Sequence, residues 1–226
     1  MSLPRPVRAV VFDMDGLLVD TEVLCRDAMM QQAEAMGREL PLEVFLGMVG
    51  TNHVSSERIL IDHFGADFSQ AQFKAEWVQR FYGMSEAGVA LKAGVVELLD
   101  HLDEARVPRA VCTSSPHREV ERNLRPHELY ERFHAVVAYG DYERGKPHPD
   151  PFLKAAERLG VEPEHCLALE DSHNGVRAAH AAGMMTVMVP DLLHPTEEMR
   201  RLCVHIAETL HEAQALIAQA NRRQEA

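Results

Sequence analysis

Cysteine is scarce. The chain has four, Cys25, Cys112, Cys166 and Cys203, and none forms a C-x-x-C pair. That spacing excludes a disulfide framework and reads as reduced, partly buried thiols on helices and strands. The thirteen histidines fall into no H-x-x-x-H or Cys/His pattern, so a zinc site has no support. Positive charge is also short: 23 Lys and Arg stand against 35 Asp and Glu, a formal net charge of -12. A nucleic-acid footprint needs clustered cations, so no nucleic-acid partner is expected. No apolar run approaches the roughly 18 residues of a membrane span, and residues 1–9 lack the apolar centre of a signal peptide. The expectation is a cytoplasmic protein with no membrane partner. Internal repeats and low-complexity segments are absent as well.

What is present is ordinary in bulk and unusual in one stretch. With 226 residues, 46% hydrophobic and 26% charged, the chain suits one large domain, or one domain carrying an insertion. The unusual stretch is V-V-F-D-M-D-G-L-L-V-D-T-E, from Val10 to Glu22. Val10, Val11 and Phe12 form a short apolar run with strand propensity, and Gly16 breaks it just after two carboxylates. Asp13 and Asp15 therefore stand at a strand's carboxyl end, the edge where open α/β sheets bind ligands. Period-two alternation points both the same way if the extended geometry persists. Carboxylates held this close repel unless a cation lies between them, and Mg²⁺ takes one or two carboxylates plus water and phosphate oxygens. Alone, Asp-x-Asp is more often a surface pair capping a turn. The rest of the chain decides against that.

From about Thr21 to Gly88 the pattern is helical with no convincing strand. Helices are predicted over 21–36, from behind Pro41 to near Gly50, over 54–64, and from an N-cap at Ser69. Phe73, Trp77, Val78 and Phe81 form one apolar stripe on the fourth, read as the core of a small bundle. From Ala93 helix and strand alternate, with strands at 110–113, 135–138, 166–169 and 185–189 and a polar turn at Ser114-Ser115. Short loops between them imply a Rossmann-like, doubly wound parallel sheet with right-handed crossovers. The tail allows two readings: an edge strand at 203–206 followed by a helix over 210–220, or one helix from Thr196. The fold expected is thus an α/β core, residues 1–19 and 92–226, with an all-helical cap inserted over 20–91. The insertion leaves directly after the paired aspartates and is placed to cover them.

Each later strand that can be placed ends in a group suited to phosphate. Thr113 closes one, and its hydroxyl with the N–H groups of Ser114 and Ser115 can cradle phosphate oxygens, although Thr-Ser-Ser before a proline is more often a helix cap. Lys146 lies in a loop stiffened by two prolines, G-K-P-H-P-D. Glu170 and Asp171 form a second acidic pair at the end of the next strand.

The order F-D-x-D-G, a hydrophobic strand ending in Thr, K-P-x-P-D, and E-D-S-x-x-G resembles the four motifs of the haloacid dehalogenase-like superfamily of phosphohydrolases. The helical insertion is similar to the cap of its β-phosphoglucomutase-like branch. The resemblance implies that Asp13 is the nucleophile that becomes an aspartyl-phosphate, and that Asp15 is the acid and base. It implies that Thr113, the Ser114 N–H and Lys146 hold phosphoryl oxygens. It implies Mg²⁺ on Asp13, the main-chain carbonyl of Asp15 and Asp171, with Glu170 in support. The substrate implied is a small phosphorylated metabolite, a sugar phosphate or similar, handled by a monomer. Phosphatase and phosphosugar mutase share this chemistry, while a silent binding protein would have lost one of these residues. The mutases carry a cap histidine where Cys25 stands and a phosphate-gripping arginine whose place falls on His53, with Arg80 another cap cation. Both departures favour the phosphatase. The cap is expected to move as a lid on hinges near 17–20 and 88–93.

Overall fold

The computed structural model describes residues 3–51, 53–86 and 88–222, with His53 described by its backbone alone. In chain order the elements begin with β1 (Ala9–Phe12) and four helices, α1 (Thr21–Ala35), α2 (Leu42–Leu46), α3 (His53–Phe64) and α4 (Gln70–Met84). There follow α5 (Val95–Glu104), β2 (Arg109–Pro116), α6 (His117–Leu124), β3 (Ala135–Tyr139) and α7 (Asp150–Leu159). The chain ends with β4 (Cys166–Glu170), α8 (His173–Ala181), β5 (Met185–Met188), α9 (Glu197–Leu202), β6 (His205–Ile206) and α10 (Leu210–Arg222). Of the two readings of the tail, the structure has the edge strand. No helix among the described residues is long and apolar enough to cross a membrane.

The six strands form one parallel sheet in the order β3-β2-β1-β4-β5-β6. Their side chains alternate between two unlike faces. Val10, Phe12, Val111, Leu167 and Leu169 point into a bulky layer completed by Leu98, Leu99 and Leu102 of α5 and Leu216 and Ile217 of α10. Ala9, Val11, Ala110, Cys112, Cys166 and Ala168 point the other way. That face is mostly small, and the small residues let α7 and α8 sit close through Phe152, Ala155, Ala178 and Ala179. Burying each large aliphatic side chain contributes roughly 1.5–3 kcal/mol. The order reverses direction at β1, between β2 and β4, and a doubly wound sheet opens its ligand crevice at such a point.

Helices α1 to α4 build a separate apolar centre from Met29, Phe45, Phe64, Phe68 and Phe73, and form the cap over the sheet edge. The chain enters and leaves this cap by two segments that pair with each other. Val19 bridges Leu91, the Asp20 N–H donates to the Ala90 carbonyl at 2.9 Å, and the Lys92 N–H donates to the Leu18 carbonyl at 3.0 Å. Lys92 adds ion pairs to Asp20 (3.3 Å) and Asp191 (2.7 Å). One sequence expectation is corrected at this level: Ser114 and Ser115 continue β2 as extended chain instead of turning. Ser69 stands at the N-cap position of α4 as expected, without a side-chain capping bond.

Candidate active site

β1 delivers Asp13 one residue past its last strand residue, with the Asp13 N–H still donating to the Leu169 carbonyl of β4 at 3.0 Å. The carboxylate is buried and faces Lys146, whose Nζ donates to Asp13 Oδ1 at 2.5 Å, Glu170 Oε1 at 2.6 Å and the Cys112 carbonyl at 3.0 Å. All three ammonium protons are therefore used, and the lysine is fixed between β1, β2 and β4. Burial alone would pull Lys146 down, but Asp13 and Glu170 more than offset it and hold its pKa well above the usual lysine value. Burial pushes Asp13 up, against the pull of Lys146 and with the help of Glu170 and Asp15. Glu170 spends its second oxygen on the Ser172 N–H and hydroxyl, both at 3.0 Å, and that hydroxyl caps α8 by accepting from the Gly175 N–H. Gly175 is obligatory here, since a Cβ would run into the Glu170 carboxylate.

Asp15 lies beyond the strand, where the chain turns at Gly16 with φ +79°, a conformation that favours glycine. Its carboxylate is gripped by hydroxyls. Thr21 Oγ1 donates to Oδ1 at 2.9 Å, and Ser115 Oγ and Thr113 Oγ1 donate to Oδ2 at 2.8 and 3.3 Å. The two aspartates thus reach one cavity while facing different partners. Thr113 Oγ1 also accepts the Ser115 N–H at 3.0 Å, which takes that N–H out of the phosphate cradle the sequence suggested. Ser114 is exposed and lines the cavity.

Asp171 completes the site. One carboxylate oxygen each from Asp13, Glu170 and Asp171 lie within 4.8 Å of one another, and all three residues are buried. Burial, then Glu170, Asp13 and Glu22, hold the Asp171 pKa well above the usual carboxylate value. Among the described residues Lys146 is the one cation against this group. Asp171 lies so close to the Gly16 turn that a Cβ there would come within 2.5 Å of its Oδ2. Hard oxygen donors with excess buried negative charge fit a divalent cation of the Mg²⁺ kind.

Above these groups lies a cavity of about 500 Å³ between sheet edge and cap. The cap closes onto the core where Asn174 Nδ2 donates to the Gly50 carbonyl at 2.7 Å. Cys25 lines the cavity, its thiol pKa pushed far up by burial and by Glu22 and Asp15. His53 falls outside the described side chains. Arg80 is turned away, its Nε donating to Gln32 Oε1 at 2.7 Å, and it does not line the cavity. The apolar stripe of α4 serves two purposes: Phe73 is buried in the cap centre and also reaches the cavity, Trp77 packs against that centre from a half-buried place on the cavity wall, and Val78 and Phe81 are half-buried cavity wall, which corrects the reading of the whole stripe as bundle core for those two.

Residues 7–183 match the family model of the haloacid dehalogenase-like hydrolases. The chain belongs to that family. It is 39% identical over 193 residues to a probable pseudouridine-5'-phosphatase of Drosophila melanogaster, covering 83% of each chain. It is 34% identical over 179 residues to a phosphorylated carbohydrates phosphatase of Thermotoga maritima, covering 79% of this chain and 82% of the other. The structure of a putative β-phosphoglucomutase from Thermotoga maritima superposes with a TM-score of 0.77 at 29% identity, covering 94% of this chain and 99% of that one.

Within this hydrolase the sequence reading misses the hydroxyls of Thr21 and Ser115, which hold Asp15. Ser115 is 100 positions from Asp15 in the chain, and no local spacing announces such a bond. Thr21 was visible in D-T-E but reads first as a helix start. Glu22, next to it, lines the cavity too, its pKa raised to about 8 by burial, Asp15 and Asp191.

Proposed function

We propose that the chain is a Mg²⁺-dependent phosphatase that hydrolyses small phosphomonoesters through an aspartyl-phosphate on Asp13. The observation that carries this is the unequal treatment of the two aspartates. Asp13 is pinned at Oδ1 by a buried ammonium, which fixes its direction, whereas Asp15 is held by three hydroxyls. Asp13 Oδ2 attacks phosphorus, the ester P–O bond breaks, and Asp15 gives its proton to the departing alcohol. Water then attacks the aspartyl-phosphate, Asp15 takes the proton, and Asp13 and inorganic phosphate are restored. The phosphoryl oxygens would be held by the Ser114 N–H and by Lys146 and Thr113, the last two each giving up a present partner for them. Mg²⁺, held by Asp13, the main-chain carbonyl of Asp15 and Asp171 with Glu170 beside them, would supply the charge that lets a carboxylate approach a phosphate dianion.

The names of the two relatives, phosphatases of pseudouridine 5'-phosphate and of phosphorylated carbohydrates, support hydrolysis of a diffusible metabolite. Mutase activity, which the name of the superposed structure raises, would need a cap cation on a second phosphate; Arg80 is engaged by Gln32 and does not line the cavity, which among the described residues leaves Lys74 of α4 as the cap cation that would have to serve. Cap and core are taken as residues 20–91 and 1–19 with 92–226, in a cytoplasmic monomer. The test is phosphate release over a panel of phosphomonoesters. Turnover is expected to vanish in EDTA and return with Mg²⁺, and Asp13→Asn is expected to lower it at least about 10⁴-fold. Full turnover in EDTA, or covalent phosphate trapped on another residue, overturns the proposal.

A further inference from the structure

The cavity has two kinds of wall. Its floor is the charged cluster of Asp13, Asp15 and Lys146, and above that the cap lines it with Met29, Phe45, Met48, Trp77 and Phe81. Trp77 and Phe81 stand four residues apart on α4, one turn along the same face, and both line the cavity. Both are half-buried: Trp77 packs against the cap centre that Phe73 fills and also lines the cavity, and Phe81 lines the cavity outside that centre. At about 500 Å³ the space lies well within the roughly 300–1,000 Å³ of small-molecule sites and exceeds what a phosphate and a short polyol fill. A polyol laid against this wall would exchange water for carbon, leaving hydroxyls without partners. A flat ring gains from the same wall by stacking. Glu57, Lys74 and Arg118 line the cavity as well.

We infer, resting on the phosphatase reading, that the preferred substrate is the phosphomonoester of an alcohol bearing a heteroaromatic ring, of the size of a nucleoside, with the ring against Trp77 and Phe81. The phosphate stays on the floor beside Asp13, and the cap wall chooses the leaving group by its flat face.

The test uses the whole protein with Mg²⁺. Values of kcat/KM are measured for uridine 5'-monophosphate, flavin mononucleotide and pyridoxal 5'-phosphate against sorbitol 6-phosphate and glucose 6-phosphate. At least one ring-bearing ester is expected to exceed both sugar esters about tenfold or more, and Trp77→Ala to cut that ratio about tenfold, with Trp77→Phe restoring most of it. Trp77 is the one tryptophan of the chain, so its fluorescence reports binding directly. In Asp13→Asn, the favoured ring-bearing ester is expected to quench it and sorbitol 6-phosphate to leave it unchanged. Sugar esters hydrolysed as well as or better than every ring-bearing one would overturn this inference and leave the phosphatase reading standing. So would a Trp77→Ala ratio equal to the parent's, or no quench by any ring-bearing ester. Failure to hydrolyse any ester in the panel would remove both readings together.

Discussion

The sheet edge and the cap wall face each other across one cavity and are built on opposite plans. At the edge, Asp13, Lys146 and Glu170 come from three separate loops and strand ends, are buried, and have their donors and acceptors assigned to one another within 2.5–3.0 Å. On the cap side, Met29, Phe45, Trp77 and Phe81 meet the cavity with carbon, and their packing permits a change of shape without an unpaired polar group. The difference follows from the work each side must do. A reacting centre needs charges held in place before the reaction, and a buried charge is tolerated only when every neighbour is fixed. A wall that selects leaving groups needs shape, and shape can be changed residue by residue. Substitutions in the edge network are therefore expected to disturb folding and turnover together, and those in the cap to affect binding.

The largest effect expected is that of Lys146→Met. It leaves Asp13 and Glu170 buried without their shared cation, and breaking a buried pair from one side typically costs about 3–5 kcal/mol. Metal-free protein should lose stability of that order in denaturant unfolding, and turnover should fall at least about 10²–10³-fold, as when a preorganised donor is removed. A variant within about 1 kcal/mol of the parent would mean that the edge is held by its strands and not by its charges.

The same contrast explains what could be read from the chain. β1, the parallel sheet and the acidic pairs at the strand ends were legible because β1 and β4 are short buried runs, Ala-Val-Val-Phe and Cys-Leu-Ala-Leu-Glu, that lead directly into their carboxylates. Cap helices were legible as helices for the same local reason. The wall was not, because an apolar stripe on a helix looks the same whether it packs on a neighbour or lines a cavity, and only tertiary packing shows Phe81 on the cavity wall and Phe73 and Trp77 between cavity and cap centre. Nor were the bonds from Ser115 and Thr113 to Asp15, which cross about a hundred residues of chain. The extension of β2 through Ser115 escaped because Ser-Ser before a proline carries turn propensity, while pairing of Pro116 with Tyr139 of β3 keeps the chain extended.

A middle-sized effect is expected where the two regions meet. Glu22, in the first turn of α1, is half-buried near core and cap, and burial, with Asp15 and Asp191, raises its pKa from 4.5 to about 8 in spite of Lys92. Between those values the folded protein keeps a proton that the unfolded chain has lost. Stability of the metal-free protein should therefore fall as pH rises through this window. Thermal melts in EDTA at pH 5, 7 and 9 should show a declining Tm whose slope Glu22→Gln reduces, the rest of the decline coming from the raised carboxyls of Asp13 and Asp171. Parallel declines in both proteins would place the sensitivity elsewhere.

The smallest effect expected belongs to a contact that ties the end of the cap to the core. Tyr82 of α4 donates its hydroxyl proton to Glu119 Oε1 of α6 at 2.7 Å, and Arg122 of α6 stacks over the same ring, its guanidinium carbon 4.3 Å from the centroid. Arg122 also donates to Ser85 Oγ at 2.5 Å, so the junction keeps two ties when the phenol is removed. Tyr82→Phe deletes one hydrogen bond, a net loss of about 0.5–1.5 kcal/mol, and leaves the ring under the guanidinium. If the cap swings on the paired segments at Val19 and Leu91, that loss falls on the closed arrangement and not on the core. KM should then rise about 2–10-fold, with kcat unchanged, or raised if opening to release product limits turnover. A matching fall in Tm without any change in KM would instead make the junction a fixed part of the fold, and the helical segment would be a wall with no lid motion.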